Sequence, residues 1–200
     1  MYKRQTFSNV LDKIRHIAKS LNKPVIVKEV GFGISKETAA KLADAGISGI
    51  EIAGLGGTNF TLIEMYRREL NDPEVRSLYE TFLNYGIPTV LSVCEVLEVF
   101  NGTLIASGGV RSGLDIAKLL AIGADLAAIA RPFLEKALLG KDKVESYLKR
   151  IRYELLITMF LTGSRTVNEL KTKPIVFGND IICWLRQRKL SKCLKRVNLE

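Results

Sequence analysis

A short apolar run, a break at glycine or proline, and a stretch of helical periodicity follow one another four times along this chain. The runs are Val25 to Lys28, Gly49 to Ala53, Thr103 to Ala106 and Leu126 to Ile129. Each is apolar along nearly its whole length instead of alternating, the pattern of strands buried on both faces of a parallel sheet. Parallel strands joined by helices require right-handed crossovers, so the fold class is α/β with about four parallel βα units in series. A closed barrel of eight such units takes about 250 residues. A chain of 200 residues with four units reads as half of one. Two parallel strand edges are then left open, to be covered by another chain or a second copy.

The first and second runs start about 23 residues apart, as do the third and fourth, a normal βα repeat. The interval between the second and third is about twice that. Either an extra strand lies at Ile87 to Leu91, or residues 61–100 are a helical insertion. Val90, Val93, Leu97 and Phe100 near helical spacing, with Pro88 suited to a helix start, favour the insertion. Residues 7–21 carry Val10, Leu11, Ile14, Ile17, Ala18 and Leu21 on one face of an amphipathic helix. Ser35 is placed to cap a helix through Leu42, closed by Gly46. Helix is also expected over 114–120, over 144–161, and briefly from a Thr166 cap to Leu170. The last ordered piece is expected at 181–185, with Trp184 as a packing anchor.

An apolar content of 47% supports a substantial core. No apolar run approaches the roughly 18 residues of a membrane span and no signal peptide is evident, so a soluble, cytoplasmic protein without a membrane partner is expected. Cys94, Cys183 and Cys193 have no metal or redox spacing and read as reduced thiols. His16, the only histidine, lies off the apolar face of its helix, which argues against Ser-His-Asp and His-metal chemistry. The net charge of +9 is concentrated in residues 186–200, where Arg186, Arg188, Lys189, Lys192, Lys195 and Arg196 make a polar tail expected to be solvated. No aromatic residue follows Trp184 to stack on bases, so no nucleic-acid partner is expected.

In sheets of this kind ligands gather at the C-terminal strand ends. The stretch 103–113, Thr-Leu-Ile-Ala-Ser-Gly-Gly-Val-Arg-Ser-Gly, is the most informative of those ends. A strand runs into Gly108 and Gly109 and then a helix start, so backbone N–H groups and the positive helix end are expected to cradle a phosphate, with Arg111 adding a charge-assisted bond. Without a ligand the same pattern is a tight βα turn. Ala130-Arg131 supplies the second half of such a cup. Lys28 ends an apolar strand and must meet an anion or pair internally with Glu29 or Glu51. Gly56-Gly57-Thr58 allows backbone to approach a flat ring, or is a plain flexible loop.

Taken together, Val25-Ile-Val-Lys-Glu-Val-Gly31, Gly56-Gly-Thr-Asn59, Gly86-Ile-Pro-Thr89, Ala106-Ser-Gly-Gly-Val-Arg-Ser-Gly113, Gly123-Ala124, Ala130-Arg-Pro-Phe133 and Met159-Phe-Leu-Thr-Gly163 resemble, in order, the C-terminal half of the type 2, FMN-dependent isopentenyl-diphosphate delta-isomerases. The resemblance covers about residues 7–185 and implies the C-terminal half of a TIM (β/α)8 barrel, with residues 1–185 an FMN-binding half-barrel and 186–200 a basic tail. It implies that Lys28 and Thr58 contact the FMN ring system and that Gly109, Val110, Arg111, Ala130 and Arg131 grip its phosphate. It further implies isomerisation of isopentenyl diphosphate, an isoprenoid precursor, with reduced FMN moving the proton, NADPH reducing the flavin, and Mg²⁺ on the diphosphate. A cation at Lys28 would favour an anionic reduced flavin. Ala53 stands where the family usually has serine, a polar contact worth about 1 kcal/mol. The family's basic substrate-binding segment and its Gln-Glu pair, which carries the magnesium carboxylate, have no counterpart here, so no metal ligand and no catalytic residue is assigned. An N-terminal half in trans, or a homo-oligomer, is the expected partner; a non-catalytic FMN-binding module and an FMN oxidoreductase are the alternatives.

Overall fold

A computed structural model describes residues 8–68 and 72–197. Four strands, β1 (Ile26–Lys28), β2 (Gly49–Ile52), β3 (Thr103–Ala106) and β4 (Leu126–Ala127), form one sheet in the order β1-β2-β3-β4 with every pairing parallel. Strand order equal to chain order is what successive right-handed βα units produce, and it is the arrangement of half a barrel. One register row, Lys28, Glu51, Ile105 and Leu126, crosses all four strands. Ile50, Ile52, Leu104 and Ala106 alternate with it and are fully or almost fully buried.

The helices on that buried face are α2 (Lys36–Asp44), α5 (Thr89–Val99) and α6 (Gly113–Ile122). Ser35 caps α2 through Thr38, as its sequence position predicts. α1 (Val10–Ser20) has no buried residue, and Val10, Ile17 and Leu21 on its apolar face stay exposed. The expected helix start at residue 7 lies outside the described residues. Between β2 and β3 the chain forms the expected helical insertion: α3 (Phe60–Arg67), α4 (Pro73–Thr81) and α5. Among the described residues there, a single parallel bridge, Leu55 to Pro88, is all the strand character. β4 is shorter than the expected 126–129, although the Ala128 amide still donates to the Ala106 carbonyl of β3 at 2.9 Å.

After β4 come α7 (Arg131–Ala137), the long α8 (Lys141–Leu161) and the short α9 (Val167–Leu170), capped by Thr166. The C-terminal segment departs from the sequence reading. Residues 186–197 are not a solvated tail; α10 (Asn179–Gln187) and α11 (Ser191–Lys195) fold onto α5, with Leu185 and Leu190 fully buried and Cys193 1% exposed. Three of its six basic side chains have partners in the fold, while Arg186, Lys189 and Lys195 stay exposed. Arg188 bonds Glu37 and the buried Glu95, Lys192 donates to the Leu97 carbonyl and Arg196 to the Ile122 carbonyl. Trp184 is an anchor with a polar end, its Nε1–H donating to Glu95 at 2.9 Å. The signal for this packing was Leu190, Cys193, Leu194 and Val197 at helical spacing, masked by the basic residues between them.

Candidate functional site

The C-terminal strand ends converge on one cavity of about 730 Å³. Each of the seven positions that the sequence singles out lines it: Lys28 from β1, Thr58 after β2, Gly109, Val110 and Arg111 after β3, Ala130 and Arg131 after β4. At the end near β1 and β2 the wall is Lys28, Val30, Ala53, Gly57, Thr58 and Phe60. At the other end it is basic, with Arg111 and Arg131 joined by Lys136 and Arg150 against the single carboxylate Glu135.

Local hydrogen bonding explains the shape of the rim. The Glu29 carboxylate accepts from the amides of Gly31 (2.6 Å) and Phe32 (2.9 Å) in its own loop and from Ala53 and Gly54 in the next, so it ties the β1 and β2 strand ends together. Burial works to raise its pKa, but the four amides outweigh it and hold the carboxyl below its ordinary value. Lys28 forms the internal pair with Glu51, whose neighbour Ser107 Oγ lies 3.5 Å away and also donates to the Ile52 carbonyl at 2.9 Å. The lysine is about half exposed and remains on the cavity wall.

The glycines of the β2 and β3 loops exist to let those loops touch. A Cβ on Gly108, whose φ is +91°, would stand 1.2 Å from the Ala53 carbonyl oxygen, and one on Gly57 would stand 2.7 Å from the Gly109 nitrogen. Thr89 Oγ1 closes the junction by donating to the Gly108 carbonyl at 2.8 Å.

The anion cradle differs from expectation in where its donors come from. At the start of α6 the amides of Arg111 and Ser112 donate to Asp115, that of Asp115 to Ser112 Oγ, and that of Gly113 to Glu154. The helix end is thus largely satisfied, by its capping box and by Glu154, with only the Leu114 amide left over among these residues. The free donors lie one step earlier: the amides of Gly108, Gly109 and Val110, and across the cavity those of Ala130 and Arg131, meet no acceptor among the described residues. Several unpaired backbone donors and flanking guanidinium groups at one end of a cavity fit a phosphate monoester, and the glycine-lined, partly apolar opposite end fits a flat ring.

Residues 2–176 match the family of FMN-dependent dehydrogenases. The chain belongs to that family. Among curated relatives of the family member, an isopentenyl-diphosphate delta-isomerase of Pyrobaculum islandicum is 46% identical over 92% of this chain and 51% of its own length. One of Sulfurisphaera tokodaii is 40% identical over 91% of this chain and 50% of its own length. The chain therefore spans about half the length of the curated relatives it matches. Among solved structures, one described as a lactate oxidase of Pediococcus acidilactici superimposes with a TM-score of 0.66 at 28% identity, covering 88% of this chain and 44% of that one. A mandelate oxidase shares the fold with a TM-score of 0.63 at 20% identity over 84% of this chain.

His16 is exposed on α1, beside Ser20, and does not line the cavity. Sequence reasoning missed Lys136, Tyr147 and Arg150, which reach the cavity from α7 and α8. Nothing in their spacing marks them, because the two helices meet the rim only through tertiary packing. Among the described residues no three of His, Cys, Asp and Glu are grouped to hold a metal ion. No helix among them is long and apolar enough to cross a membrane.

Proposed function

We propose that this chain is the FMN-binding half of an isopentenyl-diphosphate delta-isomerase, active together with a polypeptide that supplies the remaining strands. The observation that carries the reading is the single cavity gathering Lys28, Thr58, Gly109, Val110, Arg111, Ala130 and Arg131 at four parallel strand ends. In this reading the free amides of Gly109, Val110, Ala130 and Arg131 hold the FMN phosphate, with Arg111 and Arg131 screening its charge. Thr58 and the backbone of Gly57 bond the ring edge, and Lys28, aimed by Glu51, places a positive charge where it favours the anionic reduced ring. When bound and reduced, FMN supplies the group that gives and takes a proton at the allylic substrate. NADPH is the proposed reductant, isopentenyl diphosphate the substrate and the cytoplasm the location. Magnesium on the diphosphate would be held by the complementary polypeptide.

The open edges of β1 and β4 and the exposed apolar residues Ile26 and Leu126 beside them support a partner, either that complementary half or a second copy. A second reading is a flavin-binding module without catalysis, in keeping with a chain that spans about half the length of its curated relatives. An FMN oxidoreductase of the hydroxy-acid oxidase kind is disfavoured by a cavity wall without histidine. The test is to combine the chain with the complementary half of a Pyrobaculum relative, reduced FMN and Mg²⁺, and to follow dimethylallyl diphosphate. A complex that assembles and holds FMN yet never isomerises the substrate sinks the enzymatic reading and leaves the module.

A further inference from the structure

α8 approaches the β3–α6 turn with two side chains whose placement the rim alone does not explain. Tyr147 is 7% exposed, and its hydroxyl donates to the Arg111 carbonyl at 3.0 Å. The ring stands edge-on to Phe133 of α7, with centroids 4.9 Å apart and an interplanar angle of 84°. On it rests the guanidinium of Arg150, 4.9 Å from the ring centroid. One turn further along, Glu154 accepts from the Gly113 amide at 2.7 Å and lies 3.5 Å from Arg150 Nε. Gly113 itself has no room for a side chain, since a Cβ there would stand 2.3 Å from the Ile151 carbonyl oxygen. One buried ring therefore holds the backbone of the anion loop with its hydroxyl, meets α7 at its edge, and carries a cation on its face.

We infer that Arg150 is a further phosphate-binding residue of this cavity and that Tyr147 is the positioning residue that sets both Arg150 and the Arg111 turn. Arg150 lines the same cavity as Arg111 and Arg131. Its single ion-pair partner among the described residues, Glu154, is engaged through Nε, which leaves the two terminal nitrogens of the fork for an anion. A guanidinium lying on an aromatic face keeps its in-plane donors free while losing side-chain freedom, so the charge is already in place when the ligand arrives. The chemical class recognised is a phosphate monoester dianion on the Arg111 side of the cavity, and its assignment to FMN rests on the function proposed above.

The experiment is titration of the full chain, and of variants Arg150→Ala, Arg150→Lys, Tyr147→Phe and Lys149→Ala, with FMN, riboflavin and inorganic phosphate at two salt concentrations. Circular dichroism melts check each fold. Arg150→Ala is expected to weaken FMN about ten-fold, the effect of one charge-assisted hydrogen bond. Riboflavin, which lacks the phosphate, should bind as before, and the salt dependence of FMN binding should fall. Arg150→Lys should recover part of the loss. Tyr147→Phe should give a smaller loss confined to FMN, and Lys149→Ala, on the neighbouring solvent-facing position, none. Unchanged FMN affinity and salt dependence in Arg150→Ala would overturn the assignment while leaving the flavin reading intact. Phosphate binding that depends on Arg150, without FMN binding by the wild type, would overturn the flavin reading and keep the anion site. A folded chain that binds neither ligand overturns both.

Discussion

Two residues show how tightly the rim is specified. Gly108 packs on the Ala53 carbonyl so closely that an added methyl cannot be accommodated without moving one strand end. Its positive φ adds strain for any other residue. Gly108→Ala is therefore expected to separate the β2 and β3 loops and abolish FMN binding in a fluorescence titration, while far-UV circular dichroism still reports helix. Glu29 is the complementary case, a side chain holding loops together from within. Glu29→Ala leaves four amides without their acceptor and is expected to cost about 2–3 kcal/mol in urea unfolding, since stranded buried donors are penalised more than an average hydrogen bond is rewarded. Ordinary unfolding stability in Glu29→Ala would show that these amides find water instead.

Among the elements, the C-terminal pair α10 and α11 changes the picture of the chain most. Glu95 is fully buried in α5, and its carboxylate is met by Arg188, by Trp184 and by the Lys36 amide. Burial tends to raise its pKa, but Arg188, Trp184 and that amide together bring it below the ordinary value. Arg188→Ala removes the one cation from a buried carboxylate. A loss of about 2–3 kcal/mol is expected, less than for a fully enclosed pair because the Arg188 side chain is 35% exposed. Thermal or urea denaturation measures it, and a variant as stable as the wild type would mean that Glu95 is held well enough by neutral donors. The same helices seal the core through Leu185, Leu190 and Cys193, beside Cys94. The contact with the Cys193 thiol, followed by burial, pushes the Cys94 pKa upward, so both thiols belong to the packing.

For the molecule as a whole, five carboxylates that accept hydrogen bonds from the backbone or from cations share one electrostatic character. Glu29, Glu37, Glu95, Asp115 and Asp125 all have folded-state pKa values below their ordinary ones. For Glu37 the hydrogen bond from Arg188 lowers it from 4.5 to about 2. A depressed folded value means that the unfolded chain binds protons first as pH falls. The stabilisation is then complete above the unfolded values near 4.5 and fades as pH drops toward about 2. Melting temperature is expected to be level between pH 7 and pH 6 and to fall steeply below about pH 4.5. Arg188→Ala should flatten the part of that fall due to Glu37 and Glu95. A melting temperature independent of pH down to 3 would contradict the account.

Much of this protein was readable before folding. Period and punctuation place the strands because continuous apolar runs suit a parallel sheet, and Ser35, Thr166 and the glycine turns mark helix ends through local backbone chemistry. The seven cavity positions were legible for the same reason, since strand ends in chain order must meet on one rim. What only the tertiary structure decided is everything that depends on distant partners. Lys28 meets Glu51, not Glu29, because register row and loop direction separate neighbours in sequence. The free amides sit mostly on the glycine turn and not on α6, because Asp115, Ser112 and Glu154 take most donors of the helix end. Tyr147 and Arg150 reach the cavity because α8 packs back on α6 and α7. The basic C-terminus packs on the core because Leu185, Leu190 and Cys193 are buried and Arg188 and Lys192 find partners on α2 and α5, while composition records the charge of a segment and not the side chains it folds against.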